Sequence, residues 1–146
     1  ENLYQVDTVI KTGNLMMDAV LGSKLGLMKK RGIRTDVTVH VPKRMKLTDM
    51  ELCVLVGNLL DNAMKACREN PKEKRWIHLD IHYIPRTLFI RITNPLPFLQ
   101  EGEKEQKKGQ GFGLKNVRTA VKNYHGVLEI QEEKKCFTVK ILLYNL

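Results

Sequence analysis

The segment TDMELCVLVGNLLDNAMKACRENP, residues 48 to 71, carries the strongest periodic signal in the chain. Thr48 and Glu51 stand at capping-box spacing, where each side chain can satisfy the other residue's backbone N–H. Behind them Leu52, Leu55, Val56, Leu59, Ala63, Ala66 and Cys67 recur at helical period until Asn70-Pro71 breaks the pattern. A helix of this kind has one face that must be buried, so the remaining segments have to supply its cover.

Upstream, Asn14 to Arg31 places Leu15, Ala19, Leu27 and Met28 among polar residues and stops at Gly32, which predicts a helix with a glycine C-cap. Asp36 to Val41 alternates, with Val37, Val39 and Val41 on one face and Pro42 ending the strand. Downstream, Trp76 to Tyr83 and Leu88 to Thr93 alternate around a turn at Pro85-Arg86 and predict an antiparallel pair. From about 95 to 110 two prolines, two glycines and a dense mixture of Lys, Glu and Gln predict a long mobile loop, a lid. Leu114, Val117, Val121 and Tyr124 restore helical spacing up to a stop at Gly126, and Val127 to Ile130 with Phe137 to Leu143 predict a second strand pair. This order predicts an α/β fold, a two-layer sandwich whose mixed five-stranded sheet is covered on one face by three helices.

At 146 residues the chain is sized for one domain, and no apolar run reaches the length of a membrane helix. Residues 1–5, ENLYQ, resemble a protease-cleavage tag without its phenylalanine and are expected to be a tag remnant or linker. Cys53, Cys67 and Cys136 form no CxxC pair, so they are read as reduced thiols in a cytosolic compartment and as small core residues. The formal net charge is +9, and Lys and Arg thicken at 29–31, 43–44, 72–75 and 104–108. That balance favours a polyanionic partner: nucleic acid, an acidic membrane surface or a phosphate-rich ligand.

Asn58, Asn62 and Lys65 stand at i, i+4 and i+7 on the central helix, one stripe at the rim of its apolar face. They are either ordinary solvated residues or, since Asn is a mediocre helix former, groups kept for chemistry. An amide oxygen suits Mg²⁺ and an ammonium suits phosphate. GQGFGLKNV, residues 109 to 117, joins three glycines to a helix start whose unpaired N–H groups favour anions. It is either a loop hinge or one side of a phosphate site. It follows no strand and has no GK[ST], which argues against a dinucleotide-binding turn and a P-loop. His78, Asp80 and His82 share a strand face and read as its polar side rather than as a metal site. His40 reads the same way, and His125 lies at a helix end.

GNLLDNAMKA (57–66) resembles the N box of the GHKL ATP-binding superfamily, which holds gyrase, MutL and the sensor histidine kinases, and GQGFGLKNV resembles its second glycine box. Their separation and the element order are similar to those of the Bergerat fold. TGNLMMDAVLGSKL (12–25), KKRGI (29–33) and ITNP (92–95) resemble the AgrC-like quorum-sensing kinases. The resemblance implies that residues 6–146 are an ATP-binding catalytic domain using ATP and Mg²⁺. It implies Asn62 as metal ligand, Lys65 on the phosphates, and Gly109, Gly111, Gly113 and Leu114 as backbone around them. Asn58 stands where hydrolases of the superfamily carry a general-base Glu, and Asn94 where most members read adenine with an Asp.

The same resemblance implies a phosphoacceptor histidine on a dimerisation domain of the full-length kinase, outside this chain, and a response regulator beyond it. It places these residues in the cytoplasmic part of a membrane-bound bacterial sensor, with membrane contact through the sensor portion and no nucleic acid. The chain alone is then not expected to autophosphorylate. The alternative is a basic, non-catalytic GHKL-like module that binds an acidic protein or nucleic acid.

Overall fold

In the computed structural model, which describes residues 10–96 and 112–146, the elements run α1 (Leu15–Lys30), β1 (Arg34–His40), α2 (Asp49–Arg68), a short 3₁₀ turn (Lys72–Lys74), β2 (Trp76–Ile84), β3 (Thr87–Pro95), α3 (Phe112–Asn123), β4 (Val127–Glu133) and β5 (Cys136–Leu143). The five strands form one sheet in the order β1-β2-β3-β5-β4, with β1 and β2 parallel and the other neighbours antiparallel. The expected mixed five-stranded sheet with three helices is therefore what the described residues form.

The capping box closes as its spacing requires: Glu51 N–H donates to Thr48 Oγ1 at 3.1 Å and Thr48 N–H to Glu51 Oε1 at 2.9 Å. From there α2 buries Leu52, Leu55, Val56, Leu59, Leu60, Ala63, Met64 and Cys67. They meet the sheet face made by Ile77, Leu79 and Ile81, by Leu88, Ile90 and Ile92, and by Val139, Ile141 and Leu143. Each fully buried side chain of this kind contributes about 1.5–3 kcal/mol, so the α2–sheet interface dominates the core.

α1 begins in a network denser than its sequence suggests. Asn14 Oδ1 accepts the N–H of Met17, Asn14 Nδ2 donates to the Pro42 carbonyl, and Asp18 accepts from Thr12 and Gly13. Burial pushes the Asp18 carboxyl up, and those hydrogen bonds outweigh it and hold it below the usual aspartate value. Here the structure corrects the expected stripe. Met17, Val20, Leu21 and Met28 are buried, whereas Leu15 is 84 % exposed and Ala19 also faces solvent. Apolar residues are scattered around α1, and the side that is buried carries Met17, Val20, Leu21 and Met28 at i, i+3, i+4 and i+11, with Asn14 tied to Pro42 at its start. A second correction concerns Cys53, which is exposed; Cys67 is the buried thiol, its Sγ 3.4 Å from the Trp76 carbonyl. Burial pushes that thiol's pKa up.

α1 ends as expected, Gly32 N–H reaching Lys29 O and Ile33 N–H reaching Met28 O, with Gly32 at φ +70°. At the end of α3 the same motif puts His125, at φ 53°, in the left-handed position in place of Gly126. Gly126 serves proximity instead: a Cβ there would lie 2.4 Å from the Leu142 carbonyl oxygen and 2.7 Å from Leu143 Cδ2.

The open face of the sheet is polar. His78 Nε2 lies 2.9 Å from Asp80 and His78 Nδ1 3.2 Å from Asp36, while Arg91 donates to Asp80 at 2.7 Å. Burial pushes the Asp80 carboxyl up, and Arg91 and His78 overcome this and hold it low. The His40 and His82 rings, neighbours in the β1–β2 register, stack at 5.5 Å. Among the described residues no group of three or more His, Cys, Asp or Glu side chains is placed to hold a metal ion.

Beyond its buried Leu114, Val117 and Val121, α3 is fastened to α2 by a polar contact: the Tyr124 hydroxyl donates to Glu51 Oε1. This bond and the Thr48 N–H hold the Glu51 carboxyl below its usual value. Burial and the adjacent Glu51 carboxylate push the Tyr124 hydroxyl up to about 12.

Two outcomes are expected in urea denaturation. Gly126→Ala loses about 2–3 kcal/mol because backbone and core must both shift, against about 1–2 kcal/mol for Gly32→Ala, which is only strained. Tyr124→Phe loses about 0.5–1 kcal/mol near neutral pH. A raised tyrosine value stabilises fully below the ordinary 10.0 and is lost as pH climbs through about 12, while a lowered glutamate value stabilises above 4.5 and is lost as pH falls further. The stability gap between wild type and Tyr124→Phe should thus narrow at both extremes; a gap independent of pH contradicts the assignment.

Candidate functional site

The stripe at the rim of α2 is built by helical spacing alone. Glu51, Asn58, Asn62 and Lys65 lie at i, i+7, i+11 and i+14, within about 60° of one another around the axis. Asn58 and Asn62 are half-buried and Lys65 is exposed, with Leu59 and Ala63 in the core beside them. The opposite flank of α2 faces α1, where Lys24 Nζ meets Asp61 Oδ1 at 2.7 Å.

The Tyr124–Glu51 contact fixes what lies beside the stripe. It pins the C-terminal end of α3 to the N-terminal end of α2, so α3 runs back along α2. From Tyr124 to Leu114 is ten residues, about 15 Å of helix, and about the same rise along α2 leads from Glu51 to the level of Asn62. The N-terminus of α3 therefore comes about level with Asn62 along α2. Gly113 and Leu114 fall in its first turn, and Leu114 is buried. The helix starts at Phe112, two residues before the expected Leu114. Gly109 and Gly111 lie outside the described residues, as does nearly all of the expected lid.

Asn94 is placed by β3. The expected strand ends at Thr93, but β3 continues through Asn94 to Pro95, which pairs with Cys136, and Leu96 N–H donates to the Lys135 carbonyl. Proline is tolerated there because it is the last residue of the strand. Asn94 shares the covered face with Ile90 and Ile92 and is 1 % exposed. Its Nδ2 donates to the Pro95 carbonyl at 2.9 Å. The C-terminal end of α2 meets this end of β3 through Asn70, whose Nδ2 donates to Leu96 O at 3.2 Å.

One end of the molecule thus gathers the amide stripe of α2, the N-terminus of α3 and Asn94. The ties that do the gathering, Tyr124–Glu51 and Asn70–Leu96, were not foreseen; the only signal for the first is that Glu51 continues the Asn58–Asn62–Lys65 stripe. A shallow cavity of about 440 Å³ lined by Thr12, His40, Pro42 and Tyr83 lies at the opposite end of the sheet.

Residues 45–144 match the GHKL domain family. Over 133 residues the chain is 26 % identical to a probable C4-dicarboxylate sensor kinase of Halalkalibacterium halodurans, covering 80 % of this chain but spanning only 25 % of that relative's length. Among solved structures, the catalytic domain of histidine kinase ThkA superimposes with a TM-score of 0.68 at 16 % identity, over 92 % of this chain and 94 % of that one. The histidine kinase domain of the blue-light activated kinase from Erythrobacter litoralis gives 0.67 at 15 % identity, over 95 % and 63 %. Histidine kinase AdeS of Acinetobacter baumannii gives 0.65 at 11 %, over 90 % and 64 %. With its sheet order, its three covering helices and more than half its length matched, the chain belongs to the GHKL domain family and has the fold of histidine-kinase catalytic domains.

Proposed function

We propose that this chain binds ATP with Mg²⁺ and is the phosphoryl-donating domain of a sensor histidine kinase. The observation that carries this reading is the convergence of the Asn58–Asn62–Lys65 stripe with the N-terminus of α3 in a GHKL domain. Two neutral amides, one ammonium and a helix start supply a metal-compatible oxygen and several donors for phosphate, with no carboxylate on that stripe nearer than Glu51. In this reading Asn62 holds Mg²⁺, which would neutralise phosphate charge. Lys65 and the backbone of Gly109, Gly111, Gly113 and Leu114 hold the phosphates, and Asn94 faces the adenine.

Asn94 suits that role in one respect. Its Nδ2 is engaged by Pro95, which orients the amide and leaves Oδ1 as the acceptor for an exocyclic amine. Asn58 cannot take a proton as a carboxylate would, so that position offers no base to activate water. That favours transfer to a protein acceptor over hydrolysis. The acceptor is a histidine on a dimerisation domain of the same full-length kinase, the onward partner is a response regulator, and the segments 12–25, 29–33 and 92–95 favour an AgrC-like quorum-sensing kinase on the cytoplasmic side of a membrane.

Calorimetric titration with ATP and Mg²⁺ should show binding to this chain, weakened about ten-fold or more, 1.4 kcal/mol, by Asn62→Ala. No heat from a folded chain, alongside a positive control of similar affinity, overturns the proposal; polyanion binding without ATP binding would favour the non-catalytic module. Incubation with labelled ATP should leave His40, His78, His82 and His125 unmodified, and acid-labile label on any of them contradicts the assignment of the acceptor to another domain.

A further inference from the structure

The basic runs at 29–31 and 72–75 have no part in the proposed nucleotide site, and the fold brings them together. Arg75 is the knot. Its Nη1 donates to the Arg31 carbonyl at 2.9 Å, its Nε to Asn70 O at 2.8 Å and its Nη2 to Arg68 O at 3.3 Å, while its own carbonyl accepts from Arg34 N–H. Lys72 packs over Gly32, where a Cβ would lie 3.3 Å from its Cδ. The ends of α1 and α2, the start of β1 and the 3₁₀ turn thus form one surface on the α1 side of α2.

Lys29, Lys30, Arg34, Arg68, Lys72 and Lys74 are all exposed on it, with Arg31 partly so. The carboxylates in these segments are Glu69 and Glu73, so the seven cations outnumber them and the surface is net positive. Two further features select the partner. Among the described residues the exposed large apolar side chains, Leu15, Met50, Val54, Ile84, Val127 and Tyr144, all lie on other segments, so these segments offer none of the apolar anchors around which protein interfaces are built. It presents helix C-termini, and no helix N-terminus or projecting strand ribbon enters a groove as duplex readers do.

We propose that this basic end docks on the phosphate headgroups of an anionic lipid surface, held by charge and without insertion. This goes beyond the nucleotide reading and does not rest on it. It also departs from the expectation that membrane contact is confined to a sensor portion outside these residues. Long flexible ammonium groups from separate segments suit a fluid layer of monovalent phosphates, which can rearrange to meet them.

The test is co-sedimentation of the chain with phosphatidylcholine vesicles, with and without about a third phosphatidylglycerol, at about 50 and 300 mM salt. The chain should partition onto the anionic vesicles alone and lose about ten-fold in partitioning at the higher salt. Combined Lys29→Gln, Lys30→Gln, Lys72→Gln and Lys74→Gln should abolish it. Combined Lys43→Gln, Lys46→Gln, Lys122→Gln and Lys134→Gln, the same charge change elsewhere, should keep it within about two-fold, with thermal unfolding confirming that both variants fold. Equal losses from the two variants, binding to neutral vesicles, no binding at all, or patch-dependent retention of a short DNA duplex under conditions where vesicles are not retained would each overturn it.

Discussion

The burial of one face of α2 against β2, β3 and β5 sets the position of nearly every other part. With Leu52, Leu55, Val56, Leu59 and Ala63 turned to the sheet, helical geometry leaves Asp61 on the flank towards α1 and the stripe of Glu51, Asn58, Asn62 and Lys65 on the other. The polar groups of the site are therefore aimed by apolar packing. A helix free to roll on the sheet would misplace all of them at once, and the density of the interface, shared by three strands, prevents that.

Polar contacts refine what the apolar core establishes. Glu51 closes the capping box of α2 and accepts from Tyr124, so one carboxylate serves both the start of α2 and the end of α3. Asn70 and Arg75 do comparable work at the far end, tying helix C-termini to the exit of β3 and to each other. The Arg75 bonds occupy carbonyls that helix ends leave unpaired, and all of these contacts restrict how the elements can sit. Their placement explains how the candidate site and a basic surface share one end of a small domain without sharing residues.

Much of this was legible in the residues. The α2 cap, the helical period behind it and the alternation of the strands are local, and local physics gives the same answer in the folded chain. The motif GNLLDNAMKA lies on the same helix, so the stripe it contributes was readable too. Other expectations failed for identifiable reasons. α1 carries apolar residues on several sides, so which of them is covered depends on its tertiary partners, and Cys53 is exposed because it falls on the solvent side of a helix whose partners set that side. β3 runs through Asn94 and Pro95 because β5 and Lys135 provide partners that a strand considered alone does not reveal.

The division between the two sources of information follows from range. Residue order by itself determined which segments are helix or strand, which faces must be apolar, and that Asn58, Asn62 and Lys65 share a stripe, since each follows from spacings of a few residues. Only the tertiary structure decided that the start of α3 comes level with that stripe, that Asn94 is enclosed at the same end, and that basic runs more than forty residues apart form one surface. Those juxtapositions depend on contacts such as Tyr124 with Glu51 and Arg75 with Arg31, between residues distant in the chain, and no local preference encodes which of many possible long-range partners will meet.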